Sequence, residues 1–466
     1  MSLRKSVLLL GASVLLPVGA QAQDGPENLL PAQTAPAIAT TKQPLDAGYD
    51  PPSQSTVAEA FKDELGAAQA PAEPLVQSWS LEQATALVTL IEGIAAEGLR
   101  SADYDPKGLQ ALIAAGPGAA LNEGASQRFL WLVEDMRDGR TPMANRKQWF
   151  VMDPDADRMP SAQVMKDALQ GRGPAEALKG VAPLHPDYAV LRKALAAAAP
   201  GSPEYRQIQA NMDRWRWLPR DLGGQYLITN VPEFQLRLTV NDKIMETFRT
   251  VVGKPGNTAT PQLAEVIEGV VLNPTWTVPQ SIVKGEGLGA KVLGNPAWAK
   301  KAGYTASRGA NGFVTVVQQP GPGNSLGKMK LDMPNRHAIF VHDTPSRHLF
   351  GAADRALSHG CIRTENAVKL ALTLAILQAG LTADEGLALL NSGKYTKVDF
   401  KKKMPVYITY FTMATDIGGK LSSFKDIYGR DEAVLASFNA PRVANRPRVT
   451  DEQIIVIEDD LRDIAP

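Results

Sequence analysis

The spacing of apolar residues divides the chain into a helical part and a mainly β part. Between residues 76 and 200 apolar side chains recur at the helical period, first at Leu81, Ala84, Val88, Ile91 and Ala95. Ser80 and Gln83 have the spacing of a capping box at the start of that helix. A second apolar helix is predicted over residues 129–136, and the stretch 191–199 is predicted to continue as helix towards residues 205–208.

From about residue 224 the pattern changes to short β-rich runs, some with a period of two. The candidate strands are 225–229, 234–240, 244–252, 265–272, 313–318, 338–342 and 406–411. Turn sequences rich in Gly, Pro and Asn separate several of them. Residues 284–312, rich in Gly and Lys, interrupt two strand runs, and a connection of that length predicts a lid or binding loop.

These patterns predict an α+β chain, in which a helical scaffold domain (76–210) precedes a mainly β domain (211–435) built on a mixed sheet or β-sandwich. Residues 1–22 have the features of a signal peptide: Arg4 and Lys5, an apolar run, and Ala20-Gln21-Ala22. The alternative is an uncleaved anchor, but the run of roughly 12 residues is shorter than the ~20 that a spanning helix needs. We predict a disordered linker over 23–75, a disordered tail over 436–466, and no membrane span after cleavage.

The charge balance excludes two classes of partner. The chain has 49 basic and 49 acidic residues, so no net field favours nucleic acid or an anionic membrane surface.

A single cysteine, Cys361, is the most informative residue for chemistry. In an exported protein a lone cysteine has no partner for an internal disulfide, so an accessible one is a reactive thiol or an intermolecular crosslink. A helix is predicted to begin near Thr364, and its N-terminus would lower the pKa of a neighbouring thiol. Gly360 allows the backbone to approach a substrate carbonyl closely, so nearby amides are candidates for an oxyanion hole.

A thiol nucleophile also needs a base, and the chain has only five histidines. His342 ends an apolar strand and precedes a turn, which is a common place for a catalytic group, although a strand-end histidine is more often only solvated or satisfied. His185, His337 and His348 are weaker candidates, and His337 is expected to face away from His342 in a regular strand. His342, His359 and Cys361 could instead bind zinc, but their spacing matches no common zinc pattern.

His342, fifteen intervening residues and then Ser358-His359-Gly360-Cys361 resemble the signature of the YkuD-type L,D-transpeptidase catalytic domain. Further segments across 76–435 resemble the large Gram-negative branch that makes 3→3 crosslinks in peptidoglycan. The main ones are 211–219, 252–255 with Thr260-Pro261, 273–279, 321–327, 341–345, 407–412 and 426–431.

The resemblance implies a role for each matching residue. Cys361 would be the nucleophile and His342 its general base, with the backbone carbonyl of Asp343 orienting the imidazole. His359 and Gly360 would form the oxyanion hole with the Cys361 amide, and Ser358 would hold the motif. Arg363 would bind a substrate carboxylate, unless it forms a structural ion pair with Glu365 or Asp354. The residues expected to line the donor groove are Phe340, Tyr304 and Trp276, for which core packing is the alternative.

The implied reaction is acyl transfer through a cysteine thioester, without a metal or organic cofactor. A tetrapeptide stem would be the donor, releasing D-alanine, and the side-chain amine of a second stem's diamino acid would be the acceptor. The resemblance also implies action in the periplasm, cell-wall synthases as candidate partners, and acylation of the thiol by carbapenems. Members of this branch often carry a peptidoglycan-binding module, for which residues 180–208 are too short, so anchoring to the wall is unexplained.

Several alternatives remain open at the level of the sequence. A sortase or a chymotrypsin-type cysteine protease also orders His before Cys, but each expects neighbours of the nucleophile that are absent here. Within the family, other members trim D-alanine as L,D-carboxypeptidases, or attach or detach lipoproteins. A non-catalytic peptidoglycan-binding scaffold is the remaining class, and an intact Cys361, His342 and Gly360 argue against it.

Overall fold

Helices form the first part of the chain in the computed structural model, which describes residues 75–151, 155–285, 287–309, 312–444 and 447–453. The predicted signal peptide and nearly all of the predicted linker lie outside these residues. The helices are α1 (Leu81–Gly93), α2 (Pro106–Ala115), α3 (Ala119–Asp138), α4 (Asp155–Arg158), α5 (Ser161–Asp167), α6 (Pro174–Val181), α7 (Pro186–Ala197) and α8 (Pro203–Trp215). No helix in the described part of the chain is both long and apolar enough to cross a bilayer.

Local sequence explains where these helices begin and end. The predicted capping box of Ser80 and Gln83 is present at the start of α1. The helix predicted to run on from 191 towards 208 is two helices, because Gly201 adopts a φ of 77° and Ser202 caps a new helix that has Pro203 at its first turn.

A nine-stranded mixed sheet forms the second part of the chain. Its strands are β1 (Gln225–Asn230), β2 (Gln235–Val240), β3 (Lys243–Gly253), β4 (Leu263–Leu272), β8 (Met329–Asp332), β9 (Val341–His342), β10 (Ala356–Ser358), β11 (Ile362–Thr364) and β12 (Thr396–Thr409). Their order is β10-β3-β11-β9-β8-β4-β12-β1-β2, and an additional β2–β3 pairing joins strands near its two ends. The predicted α+β class, with a helical region before a β region, is confirmed.

Two predicted strands differ from the structure by more than two residues at one end. The strand predicted over 338–342 is only Val341–His342, since Ala338 has a φ of 54° that breaks an extended run. His337 therefore precedes the strand, and the argument that it faces away from His342 does not apply. The last long strand begins at Thr396 rather than 406, and it carries a register shift between Asp399 and Met404 that interrupts its pairing with β4.

Residues 276–318 fold as a small unit of their own, which we call the insert. It contains β5 (Trp276–Thr277), α9 (Gln280–Gly285), α10 (Leu288–Gly294), α11 (Pro296–Lys301), β6 (Tyr304–Arg308) and β7 (Val314–Gln318). The three strands pair in the order β5-β7-β6. Their side chains form a separate hydrophobic cluster with Leu288 and Val292 of α10. The segment predicted as a lid or binding loop, 284–312, lies almost wholly within helices and strands of this insert.

The scaffold and the sheet share one hydrophobic core. Helical residues pack together with Tyr226 and Ile228 of β1, Tyr407 of β12 and Phe411, while a second core fills the other part of the sheet. Asp213 of α8 is fully buried at this junction and accepts hydrogen bonds from the amides of Arg140 (2.7 Å) and Thr141 (3.0 Å). Burial alone would raise the pKa of Asp213, but Arg216 and these hydrogen bonds outweigh it and lower the pKa.

The end of the chain contacts the scaffold. Helices α12 (Ala367–Leu374) and α13 (Ala383–Asn391) precede β12. After β13 (Met413–Thr415) and β14 (Leu421–Ser423), α14 covers Asp431–Asn439. Arg442 then forms ion pairs with Glu134 (2.6 Å) and Asp135 (2.9 Å). The structure thus differs from the disordered tail predicted from residue 436, because that prediction weighed the Pro-rich composition and not the acidic face of α3. Residues 454–466 lie outside the described part.

One buried carboxyl group on the sheet predicts a pH dependence of stability. Burial raises the pKa of Glu265 in β4 to about 7, and Arg336 offsets only part of this. Because the folded chain holds this proton more tightly than the unfolded chain, the stabilisation is complete below pH ~4.5 and is lost as the pH rises towards 7. We expect Glu265→Gln to flatten this decline and to raise the free energy of unfolding at pH 8 by about 1–2 kcal/mol.

Urea unfolding between pH 4 and 8 measures the effect. Glu268→Gln is the matched control, because Glu268 lies on the same strand, is more exposed and pairs with Lys403. A Glu265→Gln profile parallel to that of the unsubstituted chain would contradict the assignment.

Candidate active site

Cys361 lies where the chain passes around the end of β3. Ser358 of β10 pairs with Gly253 along one edge of β3, and Arg363 of β11 pairs with Val251 along the other. The segment between them carries the thiol, whose residue is only 1% exposed. Its Sγ atom lies 3.8 Å from the backbone oxygen of Ala338.

Hydrogen bonds fix the shape of this segment. The Ser358 hydroxyl donates to the Cys361 carbonyl (2.7 Å) and accepts from the Gly360 amide (3.1 Å). Gly360 has a φ of 129°, which favours glycine. The Ser358 side chain thus bridges the Gly360 amide and the Cys361 carbonyl, so the Gly360 amide, predicted for the oxyanion hole, is hydrogen-bonded within the segment in this conformation.

Thr260 braces the same segment from outside. Its hydroxyl donates to the Gly360 carbonyl (2.8 Å) and accepts from the Gly253 amide (2.9 Å), so it ties the end of β3 to the thiol's segment. Sequence reasoning assigned Thr260 no role. The only signal was its place in a segment that resembled the family.

Tyr428 supports Thr260 in turn. Its hydroxyl donates to the Gly253 carbonyl (2.6 Å) and accepts from the Thr260 amide (3.2 Å). Burial raises the pKa of Tyr428, so the phenol stays protonated and remains a donor at neutral pH. Nothing in the sequence near residue 428 indicated this contact, because the two segments are far apart along the chain.

His342 lies on β9, the strand beside β11. The two strands run parallel with Ile362 opposite Val341 and Arg363 opposite His342, so Cys361 is displaced by two positions from His342. From strand spacing and rise, the Cα atoms of these two residues are about 8 Å apart, a gap that an imidazole and a thiol can bridge. His342 is fully buried, and its Nδ1 lies 2.5 Å from the backbone oxygen of Asp343.

This contact decides which nitrogen of the neutral imidazole carries the hydrogen. A carbonyl oxygen can only accept a hydrogen bond, so Nδ1 carries the proton and Nε2 carries the lone pair of the neutral ring. The arrangement suits a group that takes a proton from a thiol.

The Asp343 carboxyl group fixes the turn after His342. It accepts a hydrogen bond from the Lys328 amide (2.8 Å) and forms an ion pair with Arg347 (2.6 Å). Burial raises the pKa of Asp343, although these partners counteract it. A Cβ atom at Gly327 would lie 2.4 Å from this carboxylate, so only glycine fits there.

The predicted substrate-binding residues are buried to different degrees. Arg363 is 1% exposed, and the two acids considered as its partners contact other cations: Glu365 pairs with Arg249, and Asp354 lies 4.0 Å from Lys425. Phe340 packs against both the sheet core and the insert. Trp276 and Tyr304 belong to the insert's hydrophobic cluster, where Tyr304 stacks on Trp298.

The helix after the thiol begins later than predicted. Helix α12 covers Ala367–Leu374 and has Asn366 as its N-cap, whereas the residues directly after Cys361 form strand β11. About 10 Å of strand therefore separates Cys361 from that helix along the chain. The expected contribution of the helix N-terminus to the thiol's pKa falls off within one turn, so it is not available at this distance.

The zinc alternative and the other histidines can be placed as well. In the described residues no group of three His, Cys, Asp or Glu side chains could hold a metal ion, and this includes His342, His359 and Cys361. The His185 ring stacks on Trp215 at 4.1 Å, and the His337 ring lies 4.2 Å from that of Phe150. His348 lies in a short 3-10 helix, Arg347–Gly351.

A cavity of about 330 Å³ lies between α7, α8 and the β1–β2 hairpin. His185, Trp215 and Arg237 are among its lining residues, but Cys361 and His342 are not. It is therefore a separate feature from the thiol site.

Two protein-family models match segments of this chain. Residues 224–408 match the YkuD family, described as the L,D-transpeptidase catalytic domain. The chain contains a YkuD-type L,D-transpeptidase catalytic domain. Residues 77–195 match a second family, described as the scaffold domain.

Individual relatives share less than a third of their aligned residues with this chain. A Haemophilus influenzae protein, whose name assigns it provisionally to the L,D-transpeptidases, is 29% identical over 250 residues. That match covers 50% of this chain and half the length of the relative. Among solved structures, an L,D-transpeptidase from Mycobacterium smegmatis is 14% identical with a TM-score of 0.20, covering 40% of this chain and 58% of that one. Mycobacterium tuberculosis L,D-transpeptidase 1 is 11% identical with a TM-score of 0.17, covering 40% and 61%.

The contribution of the Thr260 hydroxyl to the position of the thiol can be tested by the rate at which Cys361 is acylated. Thr260→Val keeps the shape of the side chain but leaves the Gly253 amide and the Gly360 carbonyl without a partner, a change that costs about 1–3 kcal/mol for each buried group. We expect it to slow acylation of Cys361 by a carbapenem at least about tenfold, while Thr260→Ser keeps the hydroxyl and stays near the unsubstituted rate.

Intact mass measured over time gives these rates, and circular dichroism checks the fold. Equal acylation rates for Thr260→Val and Thr260→Ser, with both variants folded, would show that the hydroxyl does not position the thiol.

Proposed function

We propose that this chain is a peptidoglycan L,D-transpeptidase that forms 3→3 crosslinks between stem peptides through a thioester on Cys361. The observation that carries the proposal is the pair of parallel strands that holds Cys361 beside His342, with the His342 ring anchored on the Asp343 carbonyl. A protein that only binds the cell wall does not require a thiol next to a histidine base. The YkuD match supplies the substrate class, because the family acts on peptidoglycan.

The first step forms the thioester. His342 takes the thiol proton at Nε2, and the Cys361 sulfur attacks the carbonyl carbon between the diamino acid and the terminal D-alanine of a tetrapeptide stem. The tetrahedral intermediate collapses as the C–N bond breaks. His342 returns its proton to the leaving amine, so D-alanine departs as a neutral amine and the acyl group stays on sulfur.

The second step transfers the acyl group. The side-chain amine of a diamino acid on a second stem attacks the thioester carbonyl, and His342 accepts a proton from that amine. The C–S bond breaks, a new amide forms, and the sulfur leaves as thiolate or, after protonation by His342, as thiol. The bonds and protons of both steps balance without an oxidant, a metal or a nucleotide.

The oxyanion of both intermediates needs donors beside Cys361. We assign this role to the backbone around His359, Gly360 and Cys361, with the Gly360 amide exchanging its hydrogen bond to Ser358 for one to the oxyanion. Arg363 would bind a stem carboxylate and Phe340 would line the donor groove, with Trp276 and Tyr304 shaping it from the insert.

Access to the thiol calls for movement, since Cys361 is almost fully buried. Phe340 packs between the sheet and the insert, so displacement of the insert would open a path to the site. The lid role predicted for residues 284–312 is retained as part of the proposal. Export to the periplasm through residues 1–22, and cell-wall synthases as partners, are likewise proposed.

Replacement of the nucleophile tests the function directly. With Cys361→Ala we expect complete loss of the acyl-enzyme and of 3→3 product on tetrapeptide-rich sacculi, because no other thiol is present in the chain. Mass spectrometry of the digested muropeptides measures the product. The same spectra separate crosslinking from trimming, in which water replaces the amine and tripeptide stems accumulate.

His342→Gln serves as the companion variant, because the amide can occupy the same space but is a much weaker base. It should retain the fold and lose most of the rate. Full 3→3 product from Cys361→Ala would exclude the thioester, and tripeptide as the sole product of the unsubstituted enzyme would favour the carboxypeptidase.

A further inference from the structure

Lys330 is a cation beside the site that the reaction described above does not use. It lies on β8, which pairs antiparallel with β9 and places Lys330 directly opposite His342. On the other side of β9, Arg363 of β11 is opposite His342. Side chains at paired positions share one face of a sheet, with Cβ atoms about 5 Å apart. His342 therefore has a cation on each neighbouring strand.

The Lys330 side chain is directed into the site. Its Nζ lies 4.2 Å from the centre of the Phe340 ring, which makes an edge contact with the His342 ring at 5.4 Å. The Phe340 carbonyl also accepts a hydrogen bond (3.1 Å) from the amide of Ile362, the residue that follows Cys361. The ammonium group and the imidazole thus border the same aromatic ring, and the backbone of Phe340 is hydrogen-bonded to the residue after Cys361.

No carboxylate neutralises this ammonium group among the described residues. Asp332, two positions along β8, pairs with Lys397 at 2.8 Å, and Asp343 pairs with Arg347. Burial lowers the pKa of Lys330, and the neighbouring Cys361 and Asp332 charges offset part of that shift. The coupling is reciprocal: a thiolate that favours charged Lys330 is itself favoured by it.

We propose that Lys330 is a positioning residue that stabilises the thiolate form of Cys361. The charged and titratable groups on the elements around Cys361 are His342 on β9, His359 on its own segment, Arg363 on β11, and Lys330 and Asp332 on β8. The Asp343 carboxylate is held by Arg347. The two cations favour an anion at Cys361 and oppose a proton on the imidazole. The inference rests on the proposed function in that Cys361 is taken as the nucleophile.

The pH dependence of alkylation tests the proposal, because iodoacetamide reacts with the thiolate and the chain has a single cysteine. An opposite charge within about 4–6 Å shifts a pKa by about 1–3 units. We therefore expect Lys330→Met to raise the midpoint of the alkylation profile by about one pH unit or more, and Lys330→Arg to leave it near that of the unsubstituted chain.

Lys369→Met is the matched control, because Lys369 is exposed on α12 and pairs with Glu246 instead of contacting the site. If Lys330→Met does not fold, Lys330→Gln makes the same test. An unchanged midpoint in folded Lys330→Met or Lys330→Gln would overturn the proposal. A raised KM for the stem peptide with no shift of the midpoint would overturn it too, since it would make Lys330 a substrate-binding residue.

Alkylation of the free protein does not require transpeptidation. The role of Lys330 and the crosslinking function can therefore be rejected independently of each other. A shifted midpoint together with no 3→3 product from the unsubstituted chain supports the role of Lys330 and rejects the crosslinking function. Normal 3→3 product together with an unshifted midpoint supports the function and rejects the role of Lys330.

Discussion

The passage of the chain around the end of β3 is the constraint on which the thiol site depends. Ser358 pairs with one edge of this strand and Arg363 with the other, so the residues between them must turn within a short distance. The turn is possible because Gly360 adopts a positive φ and Gly253 has no side chain; a Cβ atom there would lie 1.9 Å from the Thr258 oxygen. Cys361 thus lies on a crossing that depends on glycine at both Gly253 and Gly360.

The scaffold contributes to the same constraint through direct contacts. Arg214 of α8 pairs with Asp431 and lies over the Tyr410 ring at 5.4 Å. Tyr410 stacks on Tyr428, which holds both Gly253 and Thr260. A continuous series of contacts therefore joins the helical part to the thiol's segment. These contacts support the position of the thiol's segment. Regulation of the site by the scaffold would require the same contacts to adopt two alternative arrangements.

The sequence predicted the parts that depend on local pattern. Most of the strands, the scaffold helices and the Cys361 motif follow from periodicity, capping and residue type. The positions of Thr260, Tyr428 and Lys330 could not be predicted, because each contacts the site across strand pairs or loops that only the topology brings together. The tail was mistaken for the same reason: Arg442 is ordered by acids on α3, which are far from it along the chain.

The stability of a thiolate at Cys361 depends on both its burial and the charges around it. A thiol that is 99% covered loses hydration of its anion, which disfavours the reactive thiolate. The helix N-terminus that would ordinarily compensate begins beyond β11, too far along the chain to act. A closed site of this kind therefore needs fixed cations, and the strand register supplies them at Lys330 and Arg363, on either side of His342. Because the same cations oppose a charged imidazole, a proton that His342 takes from the thiol would pass readily to the leaving amine.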